Sequence, residues 1–216
     1  MKRIIPGLAC VFGLLIAAKP VLAIPYRTIA STNDAVLNGV GLTDFDSIGI
    51  GNYTTLLLAG VTVTAPGNIV RIQNTYAGSY NTTGNYLDNN AGAAGIIVFA
   101  FDSPQSVFGF NYGALDDTWT LNAYDSVSNL LYSANAPANG GSNNGEFIGI
   151  YSAIGNIAYA TFTDNGSGDY ILLDNLRYAT VSAPEPSALL LASVSGAVLL
   201  LSRRRKTGKI PGQTGI

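Results

Sequence analysis

Between residues 24 and 182 apolar and polar positions alternate over short runs, and Gly, Asn and Asp separate the runs. A repeat of two puts every second side chain on one face of an extended chain, so the pattern predicts strands half buried against a core. The runs fall at 60–64, 69–73, 95–101, 106–112, 118–124, 129–134, 146–151, 156–163 and 170–180. Phe108, Phe110 and Tyr112 share one face of their strand, and Trp119, Leu121 and Ala123 share one face of theirs, so each set is assigned to a core, the single tryptophan included. The segments 125–129 (DSVSN) and 164–168 (DNGSG) have the chemistry of hairpin turns, and each is expected to join the strands on either side of it. Helical periodicity is nearly confined to the two ends of the chain. Together these features predict an all-β fold: an antiparallel β-sandwich of two sheets packed face to face, jelly-roll-like in topology. The chain shows no internal repeat of the kind a solenoid or propeller requires.

The ends follow another pattern. Residues 1–23 run from Lys2 and Arg3 through an apolar stretch to Val21, Leu22 and Ala23, the order of a secretory signal removed by signal peptidase. Pro6 and Lys19 interrupt the apolar stretch, which is short for a permanent span. The one cysteine, Cys10, falls within this signal, so the domain at 24–182 has no thiol and must be held together by burial. Near the other end, 187–202 is uncharged and rich in Leu, Ala and Val. As a helix it would reach about 24 Å, against a hydrocarbon core of roughly 30 Å, so it crosses only with local thinning or help from its flanks. Arg203, Arg204, Arg205 and Lys206 follow as a stop-transfer cluster, which places the 207–216 tail in the cytoplasm and the 24–182 domain outside. Pro184 and Pro186 hold Glu185 in an extended, exposed peptide ahead of the helix.

The order Ala183-Pro184-Glu185-Pro186, hydrophobic helix, arginine cluster resembles the PEP-CTERM sorting signal of exported bacterial proteins. The resemblance implies that an exosortase, a membrane transpeptidase, recognises Pro184, Glu185 and Pro186, cuts nearby and passes the protein outward. The 207–216 tail is longer than the few residues usual after such a cluster. Five segments, DFDSIG (44–49), FDSPQSVFGFNYG (101–113), TWTLNAYD (118–125), EFIGIYS (146–152) and YILLDNLRY (170–178), are similar to stretches of the β-sandwich domains that precede this signal. Those domains resemble carbohydrate-binding modules in architecture. The expectation is an exported protein of the cell envelope or extracellular matrix, anchored transiently by one C-terminal helix and in contact with extracellular polysaccharide. The other reading of the tail is a simple single-pass anchor for a structural surface protein, although an anchor has no need of Pro-Glu-Pro.

Charge and composition narrow the chemistry. The 24–182 domain carries three arginines against eleven aspartates and one glutamate, a formal charge of −9 that repels phosphate backbones and argues against nucleic acid as a partner. The chain has no histidine, and this domain has neither cysteine nor lysine, so the usual activators of a nucleophile and the imidazole or thiolate ligands of zinc and copper are missing. A glycan-active enzyme using paired carboxylates is the remaining catalytic option, with Asp116, Asp117 and Glu146 as candidates. Adjacent strand residues point to opposite faces, so Asp116 and Asp117 converge only if they lie in a loop. The expected protein is not an enzyme.

Two groups are candidates for binding. Calcium suits a domain rich in hard oxygen ligands, and a jelly roll that pairs its first and last strands would bring Asp44 or Asp46 toward Asp174 and Asn175. In the plainer reading the first two are solvated and the last two cap a strand or bond to a turn. The loop 74–95 sets Tyr76, Tyr80 and Tyr86 among Asn, Thr and Gly, as sugar recognition requires: rings for the apolar faces of a sugar and amides for its hydroxyls. The same tyrosines would also suit packing over an open sheet edge.

Overall fold

The computed structural model describes residues 25–166 and 168–180. The signal sequence, Pro184-Glu185-Pro186, the apolar C-terminal run, the basic cluster and the tail lie outside the described residues. In chain order the strands are β1 (Tyr26–Ile29), β2 (Leu42–Thr43), β3 (Gly51–Tyr53), β4 (Thr55–Leu58), β5 (Val61–Thr64), β6 (Val70–Gln73) and β7 (Tyr86–Asp88). They continue as β8 (Ile96–Gln105), β9 (Val107–Gly113), β10 (Trp119–Tyr124), β11 (Leu130–Ala136), β12 (Phe147–Ser152), β13 (Ile157–Asp164) and β14 (Leu172–Ala179). The one helical element among the described residues is a 3-10 turn at Ala35–Leu37, capped by the Asp34 carboxylate.

Every pairing is antiparallel, in two sheets. The larger runs β1-β12-β9-β14-β7-β6-β3, with β2 also on β14, and the smaller runs β11-β10-β13-β8-β5-β4. From β7 onward the chain passes repeatedly from one sheet to the other, staying within one sheet only at the β10–β11 hairpin. That hairpin turns at 125–129 as expected. Asp125 closes it by accepting the backbone N–H groups of Val127 and Asn129 (3.0 and 2.8 Å) and the Asn129 side-chain amide. The expected hairpin at 164–168 is corrected: β13 and β14 belong to different sheets, so this segment is a crossover. The Asp164 carboxylate bends it by accepting from the N–H groups of Gly166, Gly168 and Asp169. Turn chemistry of this sort specifies a reversal of the backbone, whereas the choice of sheet depends on core packing further away.

The sheets meet in an aromatic core. Phe99 of β8 lies 4.9 Å from Phe108 and 5.5 Å from Phe110 of β9, and Phe162 of β13 lies 5.1 Å from Phe110 and 5.0 Å from Trp119. Each such pair contributes roughly 0.5–1.5 kcal/mol beyond the area it buries. Strand β10 follows simple alternation, with Trp119, Leu121 and Ala123 fully buried and the residues between them partly exposed. All seven residues of β9 are buried, because this central strand of the larger sheet is covered on both faces. On its outer side Ile29, Leu37, Val107 and Phe147 form a second, smaller cluster under the 3-10 turn. The Arg27–Asp34 ion pair (2.6 Å) ties that turn to β1.

Candidate functional site

The loop 74–85 joins β6 to β7 and folds back on itself. Ser79 donates its N–H to the Tyr76 carbonyl (2.9 Å), Gly78 donates to Thr82, and the Thr82 hydroxyl donates to the carbonyls of Tyr76 and Ser79. This coil brings Tyr76 and Tyr80 edge to face at 5.5 Å. Tyr80 and Asn81 both adopt left-handed backbone (φ 52° and 62°), which costs free energy for residues with a Cβ and needs support from the surroundings.

Asn81 supplies that support. Its N–H donates to the Asn143 side chain (2.7 Å), its amide donates to the Tyr112 carbonyl (2.7 Å) and to Glu146 Oε2 (2.5 Å), and its oxygen accepts from Gly145 N–H (2.6 Å). Glu146 also accepts from the Ser142 hydroxyl and the Asn144 N–H. Burial opposes the charge on Glu146, but the donors from Ser142, its own backbone, Asn81 and Asn144 prevail and hold its pKa below the ordinary value. Gly113 of β9 completes the seat: a Cβ there would fall 2.0 Å from the Tyr80 carbonyl oxygen.

Tyr170, just before β14, is the third ring, 6.4 Å from Tyr76. Tyr76, Tyr80 and Tyr170 with Ala114, Asp116, Gly140 and Gly141 line a cavity of ≈ 230 Å³. Tyr76 and Asp116 are exposed at its rim. Asp169 positions the stretch that carries Asp116. It is 8% exposed, and it accepts from Asp116 N–H and Asp117 N–H (3.1 Å) and from the Trp119 indole N–H (3.0 Å).

Beneath the cavity lies a charged support. Asp88, fully buried, accepts from Arg71 Nε (2.8 Å) and Nη2 (3.2 Å), from the Gln73 amide (2.5 Å) and from Asn90 N–H (2.7 Å). Burial, with the Asp88 charge, pushes the Tyr170 hydroxyl well above the ordinary tyrosine range, so the ring stays neutral across the physiological range. Tyr86 is also fully buried; its hydroxyl accepts from Tyr76 N–H (3.3 Å), and burial raises its pKa too. Tyr86 therefore supports the loop from below, while Tyr76 and Tyr80 line the cavity.

The acidic candidates separate. Asp116 faces the cavity, whereas Asp117 lies against Gly166, where a Cβ would come within 2.2 Å of its Oδ2. Both Glu146 oxygens are engaged in the clamp on Asn81, Ser142 and Asn144. Asp44 accepts from Asp46 N–H (3.2 Å), and Asp46 accepts from Asn85 N–H (2.6 Å). Asp174, fully buried, accepts from Thr83 N–H (2.7 Å) and from the Thr83 hydroxyl (3.1 Å). Asn175, in left-handed backbone, donates its N–H to Asp174. The pairing of β2 with β14 thus brings Asp46 and Asp174 to the two sides of the 83–85 backbone, where both act as acceptors for it. Burial, then the Asp46 charge, raises the Asp174 pKa. Among the described residues no group of three or more acidic side chains stands in position to hold a metal ion.

Sequence reasoning missed Tyr170, Asp169 and Asn81. Tyr170 reads as a strand residue in YILLDNLRY, and only the crossover after β13 carries it to the loop of Tyr76.

No family model matches the chain, and no curated protein matches it. Similar solved structures include a DUF4465 family protein from Bacteroides caccae, 11% identical, with 72% of this chain and 100% of that chain covered and a TM-score of 0.36. Another is the K2 cleaved adhesin domain of Lys-gingipain, 14% identical, with 72% of this chain and 99% of that chain covered and a TM-score of 0.31.

Proposed function

We propose that the chain is an exported, non-catalytic protein of the cell envelope or extracellular matrix that binds polysaccharide through the cavity of Tyr76, Tyr80 and Tyr170. One observation carries the binding role: a loop and a crossover distant in sequence bring three tyrosine rings and an exposed carboxylate around one ≈ 230 Å³ cavity. The rings offer apolar surface to the C–H faces of a sugar, and Asp116 accepts from its hydroxyls. A non-catalytic role is supported by the divergence of Asp116 from Asp117 and by the structural engagement of Glu146, so these three candidates do not pair across a bond.

Export rests on the two ends of the sequence. Signal peptidase removes 1–23, the C-terminal helix holds the chain briefly in the membrane, and an exosortase processes it at Pro184-Glu185-Pro186. Mass spectrometry of the mature protein tests this: a C-terminus near Glu185 is expected, and retention of Arg203 to Ile216 would leave a simple anchor. For binding, Tyr76→Ala and Tyr80→Ala are each expected to weaken retention on the cell's own polysaccharide about tenfold, near 1.4 kcal/mol. Retention unchanged in both variants overturns the assignment.

A further inference from the structure

The two outer faces of the sandwich differ. The middle of the larger sheet is covered on both sides at β9, although β6 toward its edge alternates, and in the smaller sheet the outward positions of β5 and β10 stay partly open while their sequence neighbours are buried. The strand registers line those outward residues up in rows that run across the strands. One row is Tyr124, Tyr159, Ala100, Thr62 and Leu57. The next is Ser133, Asn122, Thr161, Val98, Thr64 and Thr55, of which Thr161 is itself buried. A third holds Asn135, Thr120, Thr163 and Ile96. No position in these rows is charged, although the 24–182 domain has a formal charge of −9. Tyr124 and Tyr159 stack in parallel, 4.7 Å between centroids and 8° between planes.

We infer that this open face is a second carbohydrate-contacting surface, and that it takes an uncharged polysaccharide laid across the strands. Side chains within a row stand about 4.8 Å apart and the rows lie about 7 Å apart. The first row is thus mainly aromatic and aliphatic, interrupted by Thr62, and the second is mainly hydroxyls and one amide, interrupted by Val98. A neutral sugar chain has that same division, with C–H faces for the first row and hydroxyl edges for the second. The cross-strand bonds within the hydroxyl rows, Ser133 to Asn122 (2.5 Å) and Thr120 to Asn135 (3.2 Å), hold these groups in place and leave lone pairs free to accept.

Charge and area favour this occupant over others. An anionic polymer meets the −9 domain without any cation on the face to receive it. A second copy would bring an equal charge to a patch of about 24 by 14 Å, well under the roughly 800 Å² per partner of a stable interface.

The test is co-sedimentation of the purified full-length protein, in mild detergent, with microcrystalline cellulose and with insoluble chitin as neutral probes, and with covalently cross-linked, calcium-free alginate beads as the anionic control. The protein is expected to partition onto at least one neutral polymer and not onto alginate. Tyr124→Ala with Tyr159→Ala, or Asn122→Glu with Thr64→Glu, is expected to lower that partition at least tenfold, while Tyr124→Phe with Tyr159→Phe retains it. Ile50→Ala, at an exposed residue just before β3 and outside both proposed surfaces, is the control and is expected to bind the particles like the parent. The inference is overturned if neither neutral polymer binds, or if the alanine pair melts like the parent and still binds. It is equally overturned by a concentration-dependent dimer that Asn122→Glu dissolves, because the face would then belong to a second copy.

Discussion

Asp169→Ala should unsettle both the core and the cavity. Its carboxylate is the acceptor for the indole N–H of Trp119, a ring with no exposed surface, and for the backbone N–H groups of Asp116 and Asp117. Truncation leaves the indole donor buried and unpaired, a cost of about 1–3 kcal/mol. The two backbone donors sit in an exposed stretch where water can replace the lost acceptor, so they add little. Removing one negative charge from an acidic domain returns part of the loss, and the net is about 2 kcal/mol. In a protein of this size that lowers the melting temperature by roughly 4–8 °C. Trp119→Phe removes the donor from the other side, and Asp169 then keeps its backbone partners. The two changes therefore should not add: urea unfolding followed by far-UV circular dichroism, which needs no tryptophan, is expected to give a coupling energy of about 1–2 kcal/mol. A loss below about 1 kcal/mol in Asp169→Ala, or additive single and double variants, would refute the idea that this bond joins the core to the rim of the cavity.

Other consequences are testable in the same way. Gly113→Ala puts a Cβ 2.0 Å from the Tyr80 carbonyl, so it should displace the 74–85 loop and weaken polysaccharide retention at least as much as Tyr76→Ala, with faster amide hydrogen exchange at 76–85 as the direct reading. Glu146 has a folded pKa below its unfolded value, so its contribution to stability is present above the ordinary glutamate range, near 4.3, and is lost as pH falls through the lower folded value. Glu146→Gln should flatten that acid limb of the melting profile. Asp174 has the opposite sign: its folded pKa is raised, so its contribution is present below the ordinary aspartate value and is lost as pH rises through the folded one. Tyr86→Phe removes the hydroxyl that accepts from Tyr76 N–H and should weaken retention less than Tyr76→Ala, because the Tyr76 ring that lines the cavity remains.

Most of the larger strands were legible in the sequence because one of their faces is open. In β10 the buried and outward positions alternate without a break, and the period of two announces the strand. Strand β9 was also found, although the sheet buries it on both faces; Phe108, Phe110 and Tyr112 sufficed to mark it. The short strands β1, β2, β3, β4 and β7 were not found: β2, β3 and β7 have only two or three residues, and the four-residue β1 (YRTI) and β4 (TLLL) lack the apolar-polar alternation that marked the equally short β5 (VTVT) and β6 (VRIQ). Tyr86 illustrates the cost. Its three-residue strand lies inside a run of Asn, Thr and Gly, so it reads as loop and as binding residue, yet β6 and β14 flank it and bury it completely. Half of the cavity was legible in the same run, through Tyr76 and Tyr80. The other half depends on Tyr170 and Asp116, which only the crossover after β13 and the Asp169 hydrogen bonds bring to the loop.

The place of β14 has a consequence for how the molecule is made. This strand, the last one described, lies inside the larger sheet, hydrogen-bonded to β9 along one side and to β7 and β2 along the other. A ribosome delivers those three neighbours well before it, and until it arrives their ladder groups are unpaired and the aromatic core is open to water. The larger sheet therefore cannot be completed until its last strand is in place, which makes its closure a late step. A polypeptide kept waiting in that way is still threadable, which is the condition a secretion channel demands of its cargo.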